Sequence, residues 1–257
     1  MPVALSTAAH FGTKCSFAGN WGADAAGREI QDVLTRRGID LSASRSREGW
    51  STGFAHVWTE EQRGTRTIAF SRGNFPEPAA SDIDFDTPNF RDARLLHTDG
   101  SSARLAACCA AEMKRQGGVV ILDAGSRKPD MELLFPHVDL LIASELFCRS
   151  WFGTASVSPT QLRDLGVQRV IHTQGDRGAS YFDGQTTVVE PAMAVDAIDT
   201  NGAGDIFCGA ILHGISHRWT TRQTLRFACA VAGYACQHRG NSTWPTMSQL
   251  AELGFRP

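Results

Sequence analysis

Residues 199–212 read DTNGAGDIFCGAIL. Two carboxylates bracket a Gly-Ala-Gly triplet, and an apolar run follows, so a helix is expected to begin at the small residues. Gly202, Ala203 and Gly204 carry almost no side chain, and a bulky group can approach their backbone N–H groups closely. At a helix start those N–H groups lack acceptors and the dipole adds partial positive charge, which makes an anion site. A transferring phosphoryl group spreads its charge over three oxygens, and fixed donors aimed at them stabilise the transition state. Asp205, just inside the helix, is placed to take the proton of an attacking hydroxyl. Positioned proton transfer of that kind is worth roughly 10²–10⁴ in rate. Taken alone, the same string also reads as a Gly-rich turn followed by a capping aspartate.

An anion site needs a scaffold, and the rest of the chain supplies one. The segments ARLLHTDG (93–100), GVVILDAG (118–125), VDLLIASE (138–145) and QRVIHTQG (168–175) are apolar runs ending in polar residues or glycine. Helical patterns such as 101–117 lie between them. This alternation is the mark of parallel strands with crossover helices. Ligands of such sheets collect at the carboxyl ends of the strands, where Asp99, Asp123, Glu145 and Thr173 fall. Residues 14–22 read as a strand and turn. Residues 24–40 read as a helix, with Asp24 as N-cap and Gly38 as its stop. Residues 50–72 break the pattern: two strands meet at a polar turn near Gln62, Arg63 and Gly64 with no helix between them, so an antiparallel hairpin is expected. After Gly184 a strand over 185–199 is expected to lead into the opening motif, and 220–240 read as a long amphipathic helix.

Composition narrows the function classes. The chain has 257 residues, 42% of them hydrophobic, enough for one large α/β domain or a domain with a small appendage. Its formal net charge of −2 argues against nucleic acid as the main partner. No apolar stretch reaches the roughly 20 residues that span a bilayer, and no basic region precedes the short apolar run at the N-terminus. No membrane partner and a cytoplasmic location are therefore expected. The seven cysteines form no CxxC pair and read as free thiols of a reducing compartment. The histidines form no His-x-x-Glu pair, and no zinc site is expected from local spacing.

The longer string Asp-Thr-x-Gly-Ala-Gly-Asp, followed by Phe207 and Gly209, resembles the C-terminal signature of the ribokinase/PfkB carbohydrate kinase family. Residues 11–40, VIHTQGDRGA (170–179) and RGNSTWPT (239–246) resemble further segments of that family, in order and at similar spacing. The resemblance implies a ribokinase-like three-layer α/β/α sandwich with a mainly parallel sheet and a small β lid. Residues 1–45 and 73–257 would form the α/β domain and 46–72 the lid hairpin. It implies an ATP-dependent sugar kinase with Asp205 as general base and Gly202, Ala203 and Gly204 as anion hole. Thr173, Gly175, Gly178 and Asn201 would lie at the nucleotide. Asp99 and Arg72 would contact the sugar. Asp99 reads equally as a strand-end residue capping the 101–117 helix, and Arg72 as an exposed edge-strand arginine. Glu145 and Asp123 are the Mg²⁺ candidates. Asp199, with the 240–243 loop, matches the place where many members hold a monovalent cation such as K⁺. Exposed lid hairpins often pair edge to edge, so a homodimer through the lid is expected.

Two departures qualify the resemblance. Where many members carry Asn-x-x-Glu, this chain has Ser144, Glu145, Leu146 and Phe147. Ser-Glu also occurs in some ketose-type and sulfofructose kinase-like branches, which tilts the substrate toward a ketose derivative. Members also begin with a strand bearing a substrate-binding aspartate and a Gly-Gly-x-x-x-Asn turn. By spacing back from Gly12, Val3 falls at that asparagine, so the sequence opens inside the first helix. Either it is part of a longer chain, or another subunit or segment covers the gap, or sugar binding is lost. The last case is the alternative reading, a non-catalytic ribokinase-fold regulator or scaffold. A dinucleotide oxidoreductase is disfavoured because FAGNWGADAAG misses the G-x-G-x-x-G spacing.

Overall fold

The computed structural model describes residues 1–60, 65–76 and 78–255. In chain order the elements are α1 (Pro2–His10), β1 (Asn20–Gly22), α2 (Ala25–Arg36), β2 (Arg45–Arg47), β3 (Phe54–Glu60), β4 (Thr65–Ser71), α3 (Pro88–Arg91), β5 (Leu95–Thr98) and α4 (Ala103–Arg115). They continue with β6 (Val119–Ala124), β7 (Leu140–Ser144), α5 (Glu145–Phe152), α6 (Pro159–Arg163), β8 (Arg169–Thr173), β9 (Ala179–Phe182), β10 (Thr187–Glu190), α7 (Ala203–Ser216), α8 (Thr221–Cys236) and α9 (Met247–Glu252). The chain forms two compact units, Met1–Lys14 with Asp84–Pro257, and Cys15–Ile83.

The larger unit is built on a six-stranded sheet of order β10-β9-β8-β7-β6-β5. The strands β5 to β8 run parallel, as the alternating apolar runs imply, and β9 and β10 add an antiparallel hairpin at one edge. Alternation along each strand divides the sheet's two faces. Val120, Leu122, Leu141, Ala143 and Val170 join Ala106, Ala110 and Met113 of α4 and Phe147 of α5 in one core cluster. Their neighbours Ile121, Asp123, Ile142 and Ile171 therefore point to the opposite face, toward α7, whose Cys208 thiol lies within 4.8 Å of the Asp123 carboxylate. Helices α1 and α8 pack on α7, which completes the α/β/α sandwich.

The contact between α1 and α7 depends on Gly209. A Cβ there would fall inside the van der Waals envelope of the Ala4 carbonyl and 2.6 Å from the Thr7 Cβ. Trp244 ties the C-terminal loop to the same helix, donating from Nε1 to Thr7 Oγ1 at 2.7 Å. One expected strand is shorter than its pattern. β10 ends at Glu190, and 191–200 carry no regular structure, because Pro191 has no N–H to continue the ladder.

In the smaller unit, β1 pairs with β2 in parallel, Asn20 opposite Arg45 and Gly22 opposite Arg47. β3 and β4 form the expected antiparallel hairpin, with His56 opposite Ala69 and Trp58 opposite Thr67. Its turn at Gln62, Arg63 and Gly64 lies outside the described residues. Phe54, Trp58, Ile68 and Phe70 are exposed on the hairpin. Asp24 caps α2 as expected, and Gly38 follows the helix with φ of 72°.

Candidate active site

The helix α7 begins where the small residues demand. Gly202 is its N-cap, with φ of 78°, a left-handed conformation that a side chain would strain. A Cβ there would also meet Asn241 at 2.7 Å. The amide of Ala203 turns back to the Thr200 carbonyl at 3.2 Å. Among the described residues the amides of Gly202 and Gly204 have no acceptor, so two of the three expected anion donors are free. Gly204 is exposed, and a Cβ on it would meet nothing within 4 Å.

Asp205 is the third helical residue rather than the first. Its carboxylate is 35% exposed and accepts from the α-ammonium of Met1 at 3.1 Å. It is neither sunk in hydrocarbon nor used to cap its own helix. Asp99 and Asp123 act electrostatically in the same neighbourhood. Asp123 is pushed up to about 6, first by burial and then by the charge of Asp205. Asp99 is pushed up by burial but held down by Lys128 and by the Ser101 amide, and the net effect is a lowered pKa.

Lys128 is a residue that the sequence reading missed. Its Nζ lies 3.2 Å from Asp99 Oδ2, and donates to the Asp99 carbonyl at 2.7 Å and to Ser101 Oγ at 3.0 Å. The polar run SRKP after β6 was the available signal. Asp99 does not cap α4, whose N-cap is Ser102. Its carboxylate takes the Ser101 amide at 2.9 Å, one residue before that cap.

The nucleotide candidates cluster at the other end of the same strand edge. Ser144 and Thr173 are register partners. Thr173 Oγ1 donates to the Ala143 carbonyl at 3.4 Å, and Ser144 Oγ caps α5 through the Phe147 amide at 3.0 Å. Glu145 is ion-paired to Arg177 in the loop after β8. Gly175 faces open space, whereas Gly178 packs against 190–192 at the start of β9 and so shapes the loop. Asp199 joins the pieces the sequence grouped: Oδ1 accepts the Asn201 amide at 2.8 Å and Oδ2 the Gly240 amide at 3.0 Å. Arg72 follows β4 in the smaller unit and is exposed.

The sequence also holds a His-x-x-x-His pair, His213 on α7 and His217 at its C-cap. The pair is structural here. The two rings lie 4.1 Å apart, His213 Nδ1 meets Thr13 Oγ1 at 3.0 Å, and His213 packs on Phe11, Trp219 and Phe227.

The pattern of the family described as pfkB family carbohydrate kinase matches residues 4–247. Fructokinase-2 of Solanum lycopersicum is 23% identical over 269 residues, covering 94% of this chain and 82% of that protein. Ribokinase of Schizosaccharomyces pombe is 27% identical over 241 residues, covering 89% and 75%. Among solved structures, Arabidopsis thaliana ribokinase complexed with ribose and ATP superposes with a TM-score of 0.83 at 26% identity, covering 98% of this chain and 85% of that one. Ribokinase from Thermotoga maritima gives 0.82 at 23% identity, with 98% and 84% covered. The architecture is thus ribokinase-like.

Proposed function

The chain belongs to the pfkB family of carbohydrate kinases, and from that premise we propose that it transfers the γ-phosphoryl group of ATP to a hydroxyl of a sugar or sugar derivative. Asp205 is the general base. The substrate O–H gives its proton to the Asp205 carboxylate as the oxygen forms a bond to the γ-phosphorus. The bond from that phosphorus to the bridging oxygen breaks, and ADP leaves with the electron pair. The free amides of Gly202 and Gly204 stabilise the equatorial oxygens, and Ala203 holds the turn that aims them. The observation that carries this reading is a half-exposed carboxylate, uncommitted to its own helix, beside two unpaired amides with open space above Gly204.

Thr173, Gly175 and Asn201 take the nucleotide, with Gly178 fixing the loop. Oxygen donors suit Mg²⁺, and the repelling carboxylates of Asp123, Asp99 and Asp205 would be relieved by a cation. Asp123 and, once released from Arg177, Glu145 are therefore the residues to hold it. Bound Mg²⁺ neutralises phosphate charge. Asp199 anchors the 240–243 loop and would lend its oxygens to a monovalent cation such as K⁺. Asp99, set by Lys128, and Arg72 are the proposed sugar contacts. The fructokinase and ribokinase relatives support a ketohexose or pentose as the acceptor. The exposed Phe54, Trp58 and Phe70 support the 46–72 hairpin as a lid through which two copies pair. No described helix is long and apolar enough to cross a membrane.

The test is ADP release from Mg-ATP over a panel of pentoses, ketohexoses and their derivatives. One sugar should raise turnover well above the ATPase background. Nucleotide binding without turnover on any sugar would favour the scaffold alternative instead.

A further inference from the structure

His97, Asp123 and Cys208 form a cluster that the phosphoryl-transfer reading does not use as a unit. His97 lies opposite Ile121 in the β5–β6 ladder, so Asp123, two residues on, points to the same face. Cys208 comes from α7, three residues past Asp205, and its thiol lies within 4.8 Å of the Asp123 carboxylate. One nitrogen, one oxygen and one sulfur thus lie within 4.8 Å of one another, 26 and 85 residues apart in sequence.

The imidazole of His97 is the telling group. Both of its ring nitrogens are buried and neither has a hydrogen-bond partner. Leaving a buried polar group unmet costs about 1–3 kcal/mol, and a neutral imidazole here leaves a donor and an acceptor unmet together. That imidazole faces a thiol and a carboxylate, each with a ligand atom within 4.8 Å.

We propose that His97, Asp123 and Cys208 form a three-ligand site for a zinc-class divalent ion, with water in the fourth position. The donor set selects the metal. Mg²⁺ and Ca²⁺ take oxygen ligands, whereas imidazole with thiolate suits Zn²⁺ and its analogues. Three protein ligands plus water is the open tetrahedral arrangement. Bonds of about 2.0–2.3 Å place tetrahedral donors about 3.3–3.8 Å apart. The cluster needs to contract by about 1 Å, within the reach of side-chain torsions. An ion there would take Asp123 away from Mg²⁺ and place positive charge next to Asp205.

The probe is Co²⁺ added to the chelator-stripped protein, with no ATP or sugar present, so the kinase reading can fail without touching the result. One Co²⁺ per chain is expected, with a near-ultraviolet sulfur-to-cobalt band and the strong visible bands of a four-coordinate site, displaced by Zn²⁺. Cys208→Ser should remove the sulfur band. His97→Ala should weaken binding by at least about 100-fold, the upper end of what outer-shell partners alone cost. Uptake without a sulfur band, or a band unchanged in Cys208→Ser, overturns the site. Should either variant fail to fold, wild-type crystals soaked in Zn²⁺ decide. An anomalous peak between the three donor atoms supports the assignment, and its absence there sinks it.

Discussion

Asp24 and Asp205 both stand in the first turn of a helix, just after small residues, yet their carboxylates are committed in opposite ways. Asp24 is the N-cap of α2 in the smaller unit. Its Oδ1 accepts the Gly27 amide at 2.8 Å and the Thr52 hydroxyl at 2.6 Å, and its Oδ2 accepts the Thr52 amide at 2.7 Å. Those bonds, led by the Thr52 hydroxyl, hold its pKa down at about 2. Such a carboxylate is a poor base and a good fastener. Asp205 sits three residues deeper, past a glycine N-cap, and points away from its own helix. The two carboxylates therefore differ in position along the first turn and in what they bond. At the N-cap the Asp24 side chain folds back on its helix's own Gly27 amide, whereas the Asp205 carboxylate, at the third residue, turns to the Met1 ammonium instead.

The sharpest way to break this contrast is to remove each acid's charge and read two quantities. Asp205→Asn should cut sugar-dependent turnover by about 10² or more while leaving ATP affinity and melting temperature nearly unchanged. Unchanged turnover in that variant would remove Asp205 from the chemistry. Asp24→Ala should do the reverse at the level of the smaller unit, lowering stability by about 0.5–2 kcal/mol, as lost caps do. Denaturant titration followed by Trp21 and Trp50 fluorescence would measure it. A loss of turnover with full stability would show that Asp24 is more than a fastener.

Between those two in size lies Gly209→Val. Its side chain has no room against the Ala4 carbonyl, so α1 must move off α7. Overpacking of this kind costs about 1–3 kcal/mol. Because α7 carries Asp205, part of the loss should appear as reduced turnover in protein that is still folded. A melting temperature equal to the parent's would mean that the two helices do not meet as closely as the structure has them.

The two starts also differ in how legible they were. Asp24 was readable as a cap because an N-cap is a local rule acting over three residues. The parallel strands β5 to β8 were readable because buried strands are continuous apolar runs ending at polar residues. The family to which the Asp199 to Asp205 string points was readable because that signature is compressed into seven positions. The pairing of β1 with β2 was not, since Arg-Ser-Arg carries no strand signature and its partner lies over twenty residues away. The end of β10 was overrun because Val195 and Ile198 extend the apolar pattern past Pro191. At the site, Lys128 meets Asp99 and His97 meets Asp123 only through the ladder, so no local spacing announces them. Local spacing also carries less than it promises. His213 and His217 have the spacing of a metal pair, and the fold uses them as aromatic packing.

Acid sharpens the comparison between the units themselves. Burial holds His97 and His213 down at about 4 and lowers His172 as well, all within the larger unit. The fold favours each neutral ring, so their contribution is complete above the ordinary histidine value of 6.5. It is lost as pH falls from there toward 4. Each pKa unit is worth about 1.4 kcal/mol, which bounds the loss at about 3.5 kcal/mol for His97 or His213. Asp24 is also depressed, from 3.8 to about 2, so its contribution to the smaller unit persists until pH drops below 3.8. The larger unit should therefore weaken first. Hydrogen exchange between pH 7 and 4 should show protection falling in β5 to β8 and α7 while the segments around Asp24 and Thr52 hold. His213→Gln, which keeps a polar partner for Thr13 but cannot titrate, should flatten part of that slope. If protection falls in both units together above pH 4, acid lability does not follow the division between buried imidazoles and a surface-anchored carboxylate.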